Sequence, residues 1–442
     1  MELRDLIVTP VVVILVYILA YLIRPYVTDI INRRYFLPAL SVKIIGAIAL
    51  GVVYQFYYDG GDTFKFHTYG SRVLWDIILD SPSKGFQLLF QNQENREGLY
   101  SFISRIPISY DPSSFFVARI ATVFDLFTFS TYSATAVLFA VTSFAATWMF
   151  FLTFYENYPH LHRWLAIAIF FIPSVFFWGS GIMKDTVILT SLSIITFTIG
   201  HFLKNKVSVG KILLLLIALF IIFSVRKFVL MSFLPALILW IFFTKLSHSH
   251  SLMLKIILMP IIFCILIPLI YFGIQKIGEG DSKYALNEIA QTAKITAYDI
   301  RYFTGKDAGS GYDLGELDGS MGSILRLAPQ ALNVSLFRPY LWEVKNPLML
   351  MASLESLILL GLTVYTVVVC RGNIFMALLN PYLIFCLVFS LSFAIAVGVS
   401  TFNFGTLTRY RIPLIPFYCI ALILIMDHLK SKKKLAELEI TE

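Results

Sequence analysis

The sequence predicts an all-α polytopic membrane protein with about 11 transmembrane helices and two long outer-face loops that contain amphipathic helices. Three properties of the 442-residue chain support this fold class: 58% of its residues are hydrophobic, only 14% are charged, and its mean hydropathy is +0.78. A soluble globular chain carries about 25% charged residues. The excess of apolar residues therefore indicates a lipid environment, in which helices satisfy every backbone polar group internally.

Eleven apolar runs bounded by charged residues are candidates for membrane helices, which need about 20 residues for each crossing. The runs are 6–23, 41–58, 131–155, 164–182, 186–203, 212–225, 228–244, 256–275, 348–370, 374–399 and 412–427. The first run is interpreted as a span and not as a signal peptide, because no positive leader precedes it and no small-residue cleavage site follows it. The short run 212–225 predicts either half of a broken helix or a helix whose terminal cations reach the surface.

We expect a single transmembrane domain over residues 1–442, with 59–130 and 276–347 as the two long loops. Lys and Arg in short loops predict the orientation, since cytoplasmic loops are enriched in them. If segment 24–43 is cytoplasmic, fifteen such residues lie on that side, Lys43 among them. Six lie opposite: Arg4, Lys184, Arg226, Lys227, Arg409 and Arg411. The N-terminus is therefore expected outside and the C-terminus inside. The net charge of +8 is interpreted as a result of this orientation, and no nucleic-acid partner is expected.

Five of the six outer cations, all except Arg4, are the main functional clue, because they lie at span ends where the orientation rule would have removed them. Lys184 and Asp185 fall in a short connection, at the start of a helix that could bind a phosphate. The alternative is that Asp185 caps the helix while Lys184 reaches the surface. Arg226 and Lys227 follow the short run, and Arg409 and Arg411 precede the last one. Arginine suits phosphate because its planar group donates paired hydrogen bonds, although Arg-x-Arg equally suits anchoring to anionic lipid.

An acidic turn follows the second run, in the sequence Tyr57-Tyr58-Asp59-Gly60-Gly61-Asp62. Two carboxylates separated by glycines form a tight turn in which Asp62, with Asp59 beside it, is a candidate general base or ligand of a divalent cation. The alternative is a helix cap. His67, five residues after Asp62, and Arg338, in an aromatic segment with Trp342, complete the predicted substrate-binding set. A glycine-rich stretch, 305–319, predicts a mobile cover, and Glu355 is the main charge inside a span, which is a functional candidate by default.

Together these features resemble the GT-C superfamily of polytopic glycosyltransferases, in particular the bacterial enzymes of cell-envelope polysaccharide assembly. The resemblance includes the acidic turn, the amphipathic outer loop, the Phe-x-Pro-Ser-x-x-Phe-Trp pattern over 171–178, and the terminal Arg-Tyr-Arg-Ile-Pro segment from Arg409. It implies that Asp62, with Asp59, and Asp185 match the family's acidic residues, and that Arg409 and Arg411 match its terminal basic motif. The family usually places its acidic loop after the first span, whereas here the loop follows the second. Either a helix has been added or the fold belongs to another class.

The resemblance implies an enzyme of the bacterial inner (plasma) membrane that moves a sugar or oligosaccharide from a polyprenyl-phosphate-linked donor to a glycan or lipid-linked acceptor at the outer face. It implies no certain cofactor, with Mg²⁺ or Mn²⁺ as an optional ion, and membrane lipids as partners. One alternative is an O-antigen-type polysaccharide polymerase or ligase. A third reading is a transporter or flippase for lipid-linked glycan, which predicts interrupted helices in paired positions and polar groups at the membrane midplane.

Overall fold

A computed structural model describes residues 2–90, 98–247, 288–304, 310–370 and 377–441. Within these ranges the regular elements are helices, joined by short helical turns. Their bounds are Leu3–Val27 (α1), Arg33–Phe56 (α2), Asp62–Phe66 (α3), Arg72–Asp80 (α4), Pro82–Phe90 (α5), Tyr100–Ile103 (α6), Pro112–Thr128 (α7), Tyr132–Tyr155 (α8), His162–Phe170 (α9), Pro173–Trp178 (α10), Lys184–Leu203 (α11), Val209–Val225 (α12), Lys227–Ser247 (α13), Ile289–Thr304 (α14), Met321–Phe337 (α15), Pro347–Cys370 (α16), Pro381–Thr401 (α17), Phe404–Tyr410 (α18) and Leu414–Thr441 (α19).

Seven described helices are long and apolar enough to cross a membrane: α1, α2, α8, α11, α13, α16 and α17. A bent pair, α18 with α19 up to Lys430, makes an eighth crossing if it is counted as one span. The chain is therefore a multi-pass membrane protein, with seven to eight candidate spans in its described part where the sequence predicted about 11.

The difference in span number has identifiable causes. The predicted span 164–182 is two short helices, α9 and α10, because Ile172 has an extended backbone, which a following proline such as Pro173 favours. The run 212–225 forms α12, which is apolar but only 17 residues long. The run 256–275 lies outside the described residues, as do residues 374–376 at the start of the run 374–399.

The chain divides into two compact units, Met1–Arg226 and Lys227–Glu442. In the first unit α8 is central, and 67% of its apolar window is buried, against 11% for α1 at the periphery. Small residues on α8, among them Ala134, Ala136 and Ala140, are fully buried and allow neighbouring helices to approach closely. Trp148 adds an aromatic contact to Phe36 of α2, with ring centroids 4.9 Å apart.

Helix α2 approaches α10 so closely that Gly46 is required. A Cβ atom at this position would overlap the carbonyl oxygen of Phe176. Three residues earlier lies Lys43, which the charge count assigned to a cytoplasmic loop. This assignment was wrong, because α2 begins at Arg33 and the Lys43 side chain is fully buried inside the helix packing.

The second unit is organised around α17, which packs against α13, α15 and α19. Phe233, Phe389 and Phe417 form an aromatic core, with the Phe389 and Phe417 ring centroids 4.8 Å apart. The described end of the glycine-rich stretch is held in place and does not form a free cover, since Phe404 donates its backbone N–H to the Ser310 carbonyl at 2.8 Å. Residues 305–309 of that stretch lie outside the described residues.

Both long connections contain helices, as the sequence predicts. The described part of 59–130 forms α3 to α7, and that of 276–347 forms α14 and α15. Helix α4 is amphipathic: Leu74, Ile77 and Ile78 are buried, whereas Asp80 is exposed. Such helices pack one face on the unit and leave the other to solvent or headgroups.

The contact between α2 and α10 gives a test of the packing. We expect Gly46→Ala to destabilise the protein by about 1–3 kcal/mol, the usual cost of overpacking a close contact. The control is Gly361→Ala in α16, where an added Cβ meets nothing within 4 Å and alanine favours the helix by up to about 1 kcal/mol. Thermal unfolding in detergent measures both variants. Equal melting temperatures for the two would contradict the close contact.

Candidate functional site

Lys184, the first residue of α11, is the centre of a charged cluster in the first unit. Its ammonium group donates hydrogen bonds to Asp111 Oδ2 at 3.1 Å and Ser113 Oγ at 2.7 Å, and lies 5.9 Å from the centroid of the Phe66 ring. Only 17% of the lysine side chain is exposed. The Asp62 carboxylate is also near enough to interact electrostatically with this ammonium group. The structure therefore places Lys184 in direct contact with Asp111 and within electrostatic range of Asp62.

Asp111 is held in place by its position at the start of α7. It is the N-cap residue, and its Oδ1 accepts hydrogen bonds from the backbone N–H of Ser113 at 3.1 Å and the Ser113 hydroxyl at 2.8 Å. The hydroxyl of Ser114 donates to the other oxygen. Burial alone would raise the pKa of Asp111, but the nearby Lys184 charge and these hydroxyl donors lower the pKa to about 2. Asp111 is therefore a fixed anion that holds Lys184.

The acidic turn after α2 has the tight geometry that its glycines predict. Asp59, Gly60 and Gly61 all have positive φ angles, of 52°, 121° and 123°. Gly61 occupies the cap position and Asp62 is the first residue of α3, so the predicted cap role falls one residue before Asp62. Asp59 is exposed, whereas Asp62 is partly buried. Of the two carboxylates, Asp62 is therefore the one that the structure places beside the lysine cluster.

Asp185 and Arg226 form a buried ion pair that joins the start of α11 to the end of α12. Asp185 Oδ1 lies 2.7 Å from an Arg226 terminal nitrogen, Asp185 is fully buried, and Arg226 is 8% exposed. A carboxylate in this setting holds a guanidinium group and has no surface for a substrate hydroxyl. We therefore assign Asp185 to positioning Arg226, where the sequence predicted a catalytic role.

His67 also differs from its predicted role in substrate binding. The ring is fully buried, with Nε2 3.6 Å from Asp125 Oδ1 and its plane nearly perpendicular to that of the Tyr132 ring. Asp125 accepts a hydrogen bond from Thr135 at 2.5 Å. The histidine therefore belongs to a polar network in the interior of the first unit. Lys227, the remaining weak candidate, is the first residue of the second unit and is partly exposed.

In the second unit Arg411 is fully buried, in contrast to the predicted surface cation. One of its terminal nitrogens donates to the carbonyl oxygens of Ser335 at 3.3 Å and Arg338 at 3.0 Å, and to Ser356 Oγ at 2.9 Å. The other lies 3.6 Å from Glu355 Oε1. Glu355, predicted as functional, thus forms an ion pair with Arg411. Arg411 therefore connects the ends of α15 and α18 to α16. Arg409, two residues before Arg411, is partly exposed.

Arg338 is partly exposed and surrounded by aromatic rings. Its guanidinium carbon lies 5.2 Å from the Phe404 ring centroid, 5.8 Å from that of Tyr340 and 5.9 Å from that of Tyr312. Glu343 accepts hydrogen bonds from the guanidinium group, which raises the pKa of Arg338. Burial alone would raise the pKa of Glu343, but these bonds and one from the Tyr340 N–H lower it.

Two members of these networks were missed by the sequence analysis. Asp111 begins an Asp-Pro-Ser-Ser sequence, in which an N-cap aspartate and proline at the first helical position mark a helix start. That pattern was available, but it carries no sign that Lys184, 73 residues later, would be its partner. Lys43 was assigned to a loop because the cation count treated 24–43 as one connection, although the apolar run 41–58 already contained this lysine. Among the described residues, no group of three or more His, Cys, Asp or Glu side chains is arranged to hold a metal ion.

No protein-family model matches this chain, and neither a curated protein nor a solved structure matches it. The assignment to the GT-C superfamily therefore depends on the short motifs of the sequence and stays a prediction. The two charged networks, one in each unit, are the structural basis on which a function is proposed below.

The ion pair between Asp111 and Lys184 predicts a dependence of stability on pH. Asp111→Asn keeps the N-cap but removes the charge, so we expect the melting temperature at pH 7 to fall by about 1–3 °C, as for a partly exposed pair. The pKa of Asp111 is about 2, below the ordinary value of about 3.9, so its contribution is complete above pH 4 and is lost as the pH falls toward 2. The difference between wild type and variant should therefore vanish in that range. Asp80→Asn is the control, because its carboxylate is exposed and pairs with the exposed Arg105 only at 3.9 Å. A pH-independent difference for Asp111→Asn would contradict the pairing.

The buried pair of Arg411 and Glu355 gives a sharper test. Removing the cation alone in Arg411→Met leaves a buried carboxylate without its partner, which costs about 3–5 kcal/mol. The double variant Arg411→Met with Glu355→Gln should recover a large part of this loss, because the unpaired charge is gone. Thermal unfolding of the single and double variants measures the coupling. If the losses of stability in Arg411→Met and Glu355→Gln simply add in the double variant, the two side chains do not form a pair.

Proposed function

We propose that the chain is a membrane glycosyltransferase that moves a sugar or oligosaccharide from a polyprenyl-phosphate-linked donor to an acceptor at the outer membrane face. The observation that carries this proposal is the cluster in which Lys184 is tethered to Asp111 with Asp62 near by. A fixed cation at a span end suits a lipid phosphate, and a partly exposed carboxylate beside it suits an acceptor hydroxyl. The acceptor is a glycan or a lipid-linked glycan.

In this proposal Asp62 accepts the proton of the acceptor hydroxyl, whose oxygen forms a bond to the anomeric carbon of the donor sugar. The bond from that carbon to the carrier phosphate breaks, and its electron pair leaves on the phosphate oxygen. Lys184 stabilises the negative charge that develops there. Because Asp111 and Ser113 hold the ammonium group in place, little reorganisation accompanies the transfer.

The remaining predicted residues divide between binding and support. Arg338 and Arg409 are partly exposed and are proposed to contact phosphate or glycan in the second unit. Arg226 and Arg411 are buried in ion pairs and are proposed to hold the helix ends around them in place. A divalent cation, Mg²⁺ or Mn²⁺, stays optional.

The proposed location is the bacterial plasma membrane with the N-terminus outside. With all eleven predicted runs taken as crossings and without the buried Lys43, the cations number fourteen on the proposed cytoplasmic side and six on the other. This asymmetry is what supports the orientation, since short cytoplasmic loops are enriched in Lys and Arg. An O-antigen-type polymerase or ligase would use the same donor and differ in its acceptor.

A transporter or flippase for lipid-linked glycan is a second candidate, favoured by a specific observation. Each unit contains an interrupted apolar helix: α9 and α10 in the first, and α18 and α19, bent by 65°, in the second. Interrupted helices in both halves, together with a buried Lys43, are features of transporters. Translocation of a labelled lipid-linked glycan across vesicles without chemical change would favour this function.

Asp62→Asn tests the general base. We expect glycan transfer to fall by about 10²–10⁴-fold, because proton abstraction is lost while the shape of the side chain is kept. Transfer of labelled sugar by membranes of a deletion strain that expresses each variant is the measurement, with membrane insertion checked by immunoblotting. Asp80→Asn is the matched control at an exposed carboxylate. Full transfer by Asp62→Asn would exclude this mechanism, and loss in Asp59→Asn instead would move the base to that residue.

Lys184→Gln tests the phosphate site separately. The purified variant in liposomes should bind a long-chain polyprenyl phosphate at least tenfold more weakly than wild type, whereas both should bind the uncharged polyprenol alike. Lys65→Gln, which removes an exposed lysine of α3, should bind the phosphate like wild type. Equal binding of the phosphate by Lys184→Gln and wild type would contradict the proposed role of this lysine.

A further inference from the structure

Lys43 is a fully buried charged residue to which the proposed transfer reaction assigns no role. Its ammonium group donates hydrogen bonds to the Gly179 carbonyl oxygen at 2.8 Å and to Ser143 Oγ at 3.0 Å. Ser143 in turn donates to the same carbonyl oxygen at 2.7 Å. Among the described residues no carboxylate pairs with Lys43, so its partners are neutral oxygens from α8 and from the end of α10.

The location of this contact is deep in the helix packing. Lys43 precedes Phe56, the end of α2, by 13 residues, which is about 20 Å along a helix. The Gly179 carbonyl is therefore held near the middle of α2 and not at its end. An ionisable side chain at such depth is costly unless it has a specific partner, and here the partner is a backbone carbonyl.

The backbone at Gly179 needs such a donor. Helix α10 ends at Trp178 and α11 begins at Lys184, and the connection between them is non-helical and buried, with Ser180, Ile182 and Met183 fully inside. Irregular backbone at membrane depth is tolerated only where protein groups satisfy its polar atoms. The Ser180 hydroxyl donates to the Phe176 carbonyl, and Thr186 donates to the Trp178 carbonyl at 3.2 Å. Lys43 and Ser143 satisfy the next carbonyl, that of Gly179.

We infer that Lys43 is a positioning residue that anchors the 179–183 connection at this depth and thereby fixes where α11 begins. Lys184 and Asp185 are the first two residues of that helix, so their placement beside Asp111 and Arg226 depends on the anchor. Glycine at 179 allows this close approach. A Cβ atom there would lie 3.4 Å from the Lys43 ammonium nitrogen and would overlap the Val175 carbonyl oxygen. The inference concerns position alone and does not depend on which proposed function is right.

Cysteine labelling tests this inference without any assay of activity. In a background that keeps Cys386 and replaces the other three cysteines, Ile182→Cys places a thiol in the connection. Cys386 is fully buried in α17 of the second unit and reports unfolding that extends beyond the first unit. We expect Lys43→Met, which has similar volume but no donor, to increase the labelling rate of residue 182 by a small maleimide at least tenfold. The labelling rate of Cys386, measured by mass spectrometry of the same sample, should stay unchanged.

Two further variants complete the experiment. Lys65→Met removes an exposed lysine and is expected to label like the parent protein. Ser143→Ala removes one of the two donors to the Gly179 carbonyl and should give a smaller increase than Lys43→Met, which keeps the test possible if Lys43→Met fails to insert. Unchanged labelling of residue 182 in Lys43→Met, or in Ser143→Ala where only that variant inserts, would overturn the inference. So would an equal increase at Cys386, which would indicate general destabilisation.

Polyprenyl phosphate binding by Lys43→Met separates the two proposals. Faster labelling of residue 182 with weaker phosphate binding supports both the anchor and the phosphate role of Lys184. Faster labelling with unchanged binding supports the anchor and contradicts that role. The failure of one proposal is thus distinguishable from the failure of the other.

Discussion

A charge that is buried among apolar helices must find its partner within the protein, and this constraint organises both units. Lys43 donates to a backbone carbonyl, Asp185 is bound to Arg226, and Arg411 is shared by two carbonyls, a hydroxyl and Glu355. Each of these contacts joins residues at least 41 positions apart in the sequence. Because an unpaired buried charge costs far more than a lost surface contact, the partners fix the relative placement of the helix ends they connect.

The same constraint separates cations that can meet a ligand from those that cannot. The sequence groups Lys184, Arg226, Arg409 and Arg411 by their location at span ends, whereas the structure distinguishes them by exposure. Lys184 keeps a solvent-facing fraction and lies next to a partly exposed Asp62, while Arg226 and Arg411 are enclosed by their partners. A basic motif in a membrane protein therefore does not indicate a binding site until the partners of each cation are known.

The sequence predicted an all-helical membrane protein and the ends of several long helices, because apolar runs and the charges that bound them are local signals. Helices α8 and α11 begin and end within about two residues of the predicted runs. Helix α2 begins at Arg33, eight residues before its predicted run, because its first turns contain Arg33, Arg34 and Pro38. The broken span at α9 and α10 was missed because hydropathy does not register a single proline in an apolar run. Ion pairs such as Asp185 with Arg226 were also beyond the sequence, since partner choice depends on tertiary packing over 41 residues of separation.

The buried pair of Asp185 and Arg226 has a consequence for how the chain enters the membrane during synthesis. The aspartate is made 41 residues before its partner, so a growing chain that has released α11 into lipid alone would carry an uncompensated charge. Retaining α11 at the insertion machinery until α12 has been made avoids this cost. The pair thus favours joint release of α11 and α12 as a hairpin. Insertion of the first unit is then completed only when α12, its last helix, has been made.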